Sequence, residues 1–415
     1  MKILHLNEND SMGGAAIATR RLHEGLTEAG IDSTLFVQRK YTSRKDVYTY
    51  KSGFQSIINT TSSRYNRFPK IFYPERKKEA YNTGYSLNSL APVIKEFKPD
   101  IIHLHWIADG FININELKRF NIPVVWSLHD MWPFTGGCHY SYDCSKYTFL
   151  CGCCPVLCST KKNDLAFKVF QSRSKSIKNL NLTVVSPSRW LSDSASNSAI
   201  FRDSQIATIP HGLNLEIFKP AGKNHSRAIH YIPEDKKIIL FGGINPHIDK
   251  RKGFHLLEEA LNILKNKKEL ENCELLVFGC EEKMIDFQNA IKTTYSGYIA
   301  HDIAMPVTYS AADVMIVPSY QEAFGLTALE AMACGTPVVA FDTTGLKDIV
   351  THKESGYLAS PYEPEDLAEG IKWVLKNNSN ALNISENARN RVVKEFDVKN
   401  VVQKYSELYS KILNN

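Results

Sequence analysis

No stretch of this sequence approaches the roughly 20 consecutive apolar residues that a membrane-crossing α-helix needs; its longest apolar runs have the length of a strand. No secretory leader is expected either. Met1-Lys-Ile-Leu-His-Leu-Asn7 enters a strand directly, and a cytoplasmic protein is expected. Low-complexity tracts and internal repeats are absent. So is any Asp-x-Asp pair, which excludes a divalent ion held between two such aspartates. With 43% hydrophobic and 23% charged residues the chain is not disordered, and 415 residues exceed what one core organises. Two domains are expected.

What is present is an alternation of strand and helix, the α/β pattern of doubly wound parallel sheets. KILHLN, STLFVQ, DIIHLHW, PVVWSLH, LTVVSP and SQIATIP read as strands of a first domain, residues 1–210. A helix from about Ala15 to Ala29 follows the first of them. KKIILFGG, a helix from Gly253 to about Lys267, CELLVFG, DVMIVPS and PVVAF form a second series, 211–384. The remainder, 385–415, repeats Val392, Phe396, Val401, Tyr405, Leu408 and Ile412 at helical spacing.

The most informative segment runs from Val317 to Gly345. An apolar strand leads into a loop with Glu322, Phe324 and Gly325, and a helix starts at about Leu326, carries Glu330 and stops at Gly335. Backbone N–H groups at a helix start favour anions, so a phosphate can lie over Phe324 and Gly325. Glu330, two turns in, can accept hydrogen bonds from ribose hydroxyls, while Glu322 can reach a sugar. Glu330 stands in an otherwise apolar stretch, where a carboxylate without a partner is costly.

Glu322-Ala-Phe-Gly-Leu-Thr-Ala-Leu-Glu330 resembles the E-x7-E motif of retaining GT-B glycosyltransferases, in particular glycosyltransferase family 4. The resemblance runs along nearly the whole chain. It implies a GT-B fold, two Rossmann-like domains facing a central cleft, with residues 1–210 on the acceptor side and 211–384 binding a nucleotide sugar. It also implies that Ile209–Asn214 is the connection and that the terminal helix packs back on the first domain. Gly13 and Gly14 match the donor-contacting turn after the first strand, although no third glycine completes a dinucleotide fingerprint. His129 matches a histidine that orients the transferring sugar. His103 and His105, on one face of the preceding strand, read as core or as support behind it. Lys252 matches the phosphate-binding lysine. The family's upstream arginine is missing, with Gly243 and Ile244 in its place; Arg251 is either a substitute clamp or a solvated neighbour.

From these residues follows an expected activity. A sugar moves from a nucleoside-diphosphate sugar of UDP or GDP type to a glycan or polyprenyl-diphosphate-linked acceptor in surface polysaccharide synthesis. Retention is carried over from the family, and no catalytic metal is expected. The alternatives are a GT-B-like nucleotide-sugar epimerase and a non-catalytic nucleotide-sugar-binding protein.

Two features lie outside the family pattern. Cys138, Cys144, Cys151, Cys153, Cys154 and Cys158 crowd into the loop 136–158. Disulfides do not suit a cytoplasmic protein. Cys151-x-x-Cys154 has knuckle spacing, and Cys138 with Cys144 would complete a structural four-thiolate zinc site, His139 being a substitute ligand. Free thiols are the other reading. From Arg39 to Lys98, thirteen basic residues face four acidic ones, with aromatics interleaved. A solvated surface and peripheral contact with an anionic membrane both fit; no nucleic-acid motif accompanies the patch.

Overall fold

A computed structural model describes residues 1–50, 53–244, 246, 248–281, 290–299, 301–377 and 383–414, the side chains at 54 and 56 excepted. It divides into two compact units. The first comprises Met1–Gly212 with Val401–Asn415, the second Leu213–Asn400.

In the first unit β1 (Lys2–Asn9), β2 (Asp32–Arg39), β3 (Val47–Tyr48), β4 (Ile101–Leu104), β5 (Val124–Ser127), β6 (Leu182–Ser186) and β7 (Gln205–Thr208) form one sheet in the order β3-β2-β1-β4-β5-β6-β7. Every pairing is parallel. In the second unit β8 (Lys237–Gly242), β9 (Cys273–Phe278), β10 (Thr293–Tyr295), β11 (Val314–Val317), β12 (Val338–Phe341) and β13 (Gly356–Ala359) pair in the order β10-β9-β8-β11-β12-β13, again all parallel. Both units are Rossmann-like, as the alternation of elements predicts. Strands β3, β10 and β13 were not foreseen. The first and third sit on or beside sheet edges and the second is an edge of three residues, too short and too exposed to carry an apolar run.

Parallel sheets are covered on both faces, and the strand sequences show it. Along β8, Ile238 and Leu240 enter one core, Ile239 and Phe241 the other. The helices Phe254–Asn266 and Pro364–Asn377 pack together over the second face through Leu257, Leu261, Ile371 and Val374. The helix Leu326–Ala333 covers the first, backed by Ile384–Glu395 through Ala388 and Val392.

The expected single terminal helix over 385–415 is instead two helices. Ile384–Glu395 belongs to the second unit, and only Val401 onward belongs to the first. The chain breaks at Phe396–Asp397 because Leu213 N donates to Phe396 O at 2.9 Å and Val398 N donates to Leu213 O at 3.0 Å, a local ladder that a continuous helix cannot supply. Beyond the break, Tyr409 OH pairs with His103 Nδ1 at 2.6 Å and Tyr405 OH with Ser127 Oγ at 2.8 Å. All four groups are buried.

Tyr409→Phe removes one partner of a buried imidazole and should cost about 1–3 kcal/mol, the penalty for a polar atom left unpaired in a core. Thermal melting of the two proteins checks this; an unchanged midpoint would mean the pair contributes nothing to holding the terminal helix.

Candidate active site

In both sheets the winding reverses beside the first strand, between β1 and β4 in one unit and between β8 and β11 in the other. Loops leaving the carboxyl ends of such a strand pair diverge and open a crevice, the place where doubly wound folds bind ligands. Gly13, Gly14, Arg251, Lys252, Glu322, Phe324 and Gly325 stand in these loops, while His129 and the cysteines follow β5.

In the second unit, Glu322 follows β11 and Lys252 follows β8. Gly253 lets the two segments meet: its φ is +69°, and a Cβ there would lie 1.8 Å from the Pro318 carbonyl oxygen. Tyr320 N donates to Arg251 O at 2.8 Å, closing the contact. Glu322, 9% exposed, has Oε1 on the Lys252 ammonium, with Arg251 Nη1 and Ser319 Oγ each at 3.2 Å. Burial alone would raise this carboxyl, but Lys252 and Arg251 overcome it and hold it down at about 2. Arg251 is no solvated neighbour. Its Nη2 donates to Asp249 Oδ2 at 2.8 Å and its Nη1 to Gln321 O at 2.7 Å. Lysine and glutamate, given separate tasks in the sequence reading, are thus joined to each other.

The helix Leu326–Ala333 starts at Gly325, φ +114°, where a Cβ would come within 2.7 Å of Leu346 Cδ2. No side chain caps it, which suits an anion at its start. The ring of Phe324 is 2% exposed and packs edge-on to Phe396, which leaves its main chain as the part able to meet a ligand. Leu326 leans on the same core. Glu330 is buried, and Tyr309 OH donates to its Oε2 at 2.7 Å, the partner its apolar surroundings demand.

In the first unit Gly13, φ +90°, precedes the helix Gly14–Glu28; no side chain caps that helix, and a Cβ at Gly13 would meet nothing within 4 Å. His129 lies two residues beyond β5, stacked on His211 at 5.2 Å between ring centres. Its Nε2 is 3.1 Å from His105 Nδ1, and His105 Nε2 is 3.0 Å from His5 Nδ1. This histidine chain was only half legible. Alternate spacing puts His103 and His105 on one face, but the pairing of β1 with β4 that brings up His5 is a long-range fact. His5 Nε2 is buried without a hydrogen-bond partner. A bare lone pair there costs less than an orphan N–H, so His5 Nδ1 donates to His105 and His105 Nδ1 donates to His129. Burial takes His129 down to about 4, leaving a neutral imidazole at pH 7 with its proton on Nδ1.

Asp130 accepts from Trp106 Nε1 at 3.0 Å, Trp132 N at 2.8 Å and His139 Nδ1 at 2.6 Å. His139 Nδ1 is held by Asp130, so Nε2 is the ring nitrogen left as a candidate ligand. Cys151 and Cys154 are buried, Cys138 and Cys144 partly so. Among the described residues, the three or more ligand-type groups whose atoms converge within 4.8 Å are His5, His103 and His105, not the thiols. Both nitrogens of His103 are occupied, by Tyr409 and Ser127.

Several members of the basic stretch are paired with carboxylates. Arg39 binds Glu8 at 2.5 Å and Asp109 at 2.7 Å, Arg67 binds Asp109 at 2.9 Å, and Arg44 grips Asp46 at 2.6 Å.

Two family models match the chain: Glycosyltransferase Family 4 over residues 12–217, and Glycosyl transferases group 1 over 222–391. A D-inositol 3-phosphate glycosyltransferase of Arthrobacter sp. (strain FB24) is 24% identical over 374 residues, 87% of this chain and 81% of that one. Sucrose-phosphate synthase from Thermosynechococcus elongatus superposes with a TM-score of 0.71 at 22% identity, over 100% of both chains. Anabaena Alr3699/HepE in complex with UDP and glucose does so with a TM-score of 0.67 at 18% identity, over 99% of each. At these identities the two structures speak for the fold alone.

The Glu322 pairing has a pH signature. A carboxyl held below its ordinary value of 4.5 stabilises the fold fully above about pH 4.5, and that contribution is lost as pH falls towards 2. The stability gap between the native protein and Glu322→Gln should shrink by about 3 kcal/mol over that range, read from melting curves at stepped pH. A gap constant from pH 7 to pH 2.5 contradicts the pairing.

Proposed function

The chain belongs to the group 1 glycosyltransferases of glycosyltransferase family 4 and has the GT-B fold, and we propose that it moves a sugar from a nucleoside-diphosphate sugar of UDP or GDP type to a glycan or polyprenyl-diphosphate-linked acceptor, with retention and without a catalytic metal. The observation that carries this reading is the meeting of Lys252, Arg251 and Glu322 beside the uncapped helix at Gly325, where the winding of the second sheet reverses.

On this reading Lys252, Arg251 and the helix N–H groups meet the negative charge that grows on the departing diphosphate. An arriving diphosphate competes with Glu322 for the two cations, which turns the carboxylate towards the sugar hydroxyls. Glu330, aligned by Tyr309, takes the ribose. His129, neutral and with its proton on Nδ1, serves as a hydrogen-bonding group to the sugar rather than as an acid. The acceptor hydroxyl attacks the anomeric carbon from the face the diphosphate leaves, and its proton passes to the leaving phosphate oxygen. That route suits a site whose one strongly acidic carboxyl, Glu322, is tied to two cations. Absence of an Asp-x-Asp pair supports a reaction that proceeds without added Mg²⁺ or Mn²⁺.

A membrane-bound acceptor fits one surface of the first unit. Phe68, Ile71 and Phe72 are 56%, 59% and 70% exposed, with Arg64, Lys77 and Lys78 also exposed nearby. Apolar groups ringed by basic ones suit the headgroup region of an anionic leaflet. An enzyme working at the inner face of the cytoplasmic membrane would be placed by it.

The first test is thermal stabilisation by UDP, GDP, ADP and dTDP. UDP leads because of the Anabaena neighbour's complex. The preferred nucleotide at a hundred times its dissociation constant should stabilise by about 2.7 kcal/mol, and Glu330→Ala should lose most of the effect. No stabilisation by any of the four would remove the donor assignment. For the membrane surface, sedimentation with vesicles containing phosphatidylglycerol should recover the native protein, and an Ile71→Ser/Phe72→Ser variant should bind at least tenfold less. Equal binding of both proteins would rule that surface out.

A further inference from the structure

A pocket of about 180 Å³ lies within the first unit, lined by none of the residues assigned above to the donor. It is smaller than the roughly 300–1,000 Å³ of sites for drug-sized molecules, so it takes a single ring or a small ion. Side chains with hydroxyl and amide groups make up much of its wall: Thr83, Ser86, Asn113, Asn115, Ser172 and Ser176. Among the described residues that line it, Arg173 alone carries a charge.

Arg173 comes from the helix Leu165–Ile177 and is 4% exposed. Its guanidinium carbon lies 4.3 Å from the centre of the Trp132 ring, and its Nη1 donates to the carbonyl of Trp132 and to that of Thr135 at 2.7 Å. Nη2 has no hydrogen-bond partner. It lies against Gly84, another residue of the pocket wall: a Cβ there would stand 3.4 Å from Nη2 and 2.8 Å from Trp132 Cζ2. The Gly84 backbone is fixed in that place, its N–H donating to Asn66 Oδ1 at 2.9 Å. A buried guanidinium N–H₂ group without an acceptor is costly, and two neutral carbonyls orient the cation without cancelling its charge. An anion held in the pocket supplies what both lack.

The rest of the wall speaks for a sugar around that anion. Tyr65 and Tyr85 set their ring centres 5.9 Å apart at the pocket, with Tyr65 47% exposed at its edge. Among the described residues neither hydroxyl has a hydrogen-bond partner. Asn113 Oδ1 accepts from Asn115 N at 3.2 Å, which leaves the Asn113 N–H₂ group to donate. Ring faces beside free donors and acceptors suit a pyranose, whose C–H face is apolar and whose rim is polar. The single cation chooses among anions. A carboxylate carries one negative charge and is balanced, whereas a phosphate monoester near −2 would bury an excess.

We infer that this pocket binds one acidic sugar residue, a pyranose bearing a carboxylate, with the carboxylate drawn to Arg173 and the ring hydroxyls to Asn113, Tyr65 and Tyr85. Binding does not depend on the transfer reaction. That the sugar is part of the acceptor does rest on the reaction proposed above. Arg173 also holds the Trp132 and Thr135 carbonyls, in the segment that follows His129, so a filled pocket braces that segment.

The test is calorimetric titration of the full-length protein, without nucleotide, with glucuronate, glucose, acetate and glucose 6-phosphate. Glucuronate should bind about tenfold or more tightly than each of the other three, and Arg173→Gln should lose the preference over glucose. Because that variant can fail to fold, Ser172→Trp is the second: position 172 is exposed, so the melting midpoint should stay, while the indole fills the pocket and binding is lost. Equal binding of glucose by the native protein would overturn the role of Arg173, and equal binding of acetate would overturn the sugar. Tighter binding of glucose 6-phosphate would overturn the carboxylate. Unchanged binding by Ser172→Trp would place the ligand outside this pocket. Stabilisation by UDP is read separately, so failure here leaves the donor assignment standing.

Discussion

Everything about the two units follows from strands that pair only in parallel. A parallel neighbour can be reached only by a crossover that returns the chain to the edge it left, so every strand of a sheet ends on the same side. Both faces are then covered by crossover helices, which leaves the strands apolar and confines polar chemistry to their ends. Where the winding reverses, the loops part. Lys252 and Glu322 are 70 positions apart in the chain and yet bonded because β8 and β11 are neighbours at that reversal. Gly13 and His105 owe their places to the same reversal between β1 and β4.

Strand β11 shows that position, rather than the presence of a buried ion pair, distinguishes a site from a strut. At its amino end Asp313 is buried, bound to Arg227 Nη2 at 2.8 Å and Lys223 Nζ at 2.6 Å, and it accepts the N–H of Ile238 at 2.6 Å. That carboxylate ties the first strand of the sheet to the fourth. At the carboxyl end Glu322 also holds two cations, but on loops that diverge around a crevice and beside a helix start. Removing either partner would strand a buried charge. Only the pair at the carboxyl end adjoins an uncapped helix start.

Legibility in the sequence tracked the range of the interactions. The strands that carry four or more consecutive buried residues were plain, as was the loop–helix junction at Gly325. Local signals also placed Glu330 correctly among apolar neighbours, but its partner Tyr309 is 21 residues away and nothing in the motif names it. The motif names Phe324 without recording that its ring packs on Phe396. The break at Phe396 was invisible for a similar reason: the spacing of Val392, Phe396 and Val401 fits one helix, and the interruption comes from the distant Leu213. Arg39 and Arg67 stay at the surface, but their pairing with Glu8 and Asp109 is long-range and not visible in the sequence.

Two arginines, each 4% exposed, carry the remaining argument. Arg227 is neutralised in the usual way, by Asp313, with carbonyls of Ala311 and Glu234 completing its fork. Arg173 has two carbonyls, an aromatic face and an unpaired Nη2, and burial alone pulls its guanidinium down to about 10. Carbonyls orient a cation but do not cancel it, and the ring face contributes only about 1–2 kcal/mol. The groups around Arg173 that can lose a proton are the Asp130 carboxyl, already holding His139 and two N–H groups, the Tyr81 hydroxyl, which donates to Gly136 O, and the thiols. Burial works against ionisation of each thiol alone.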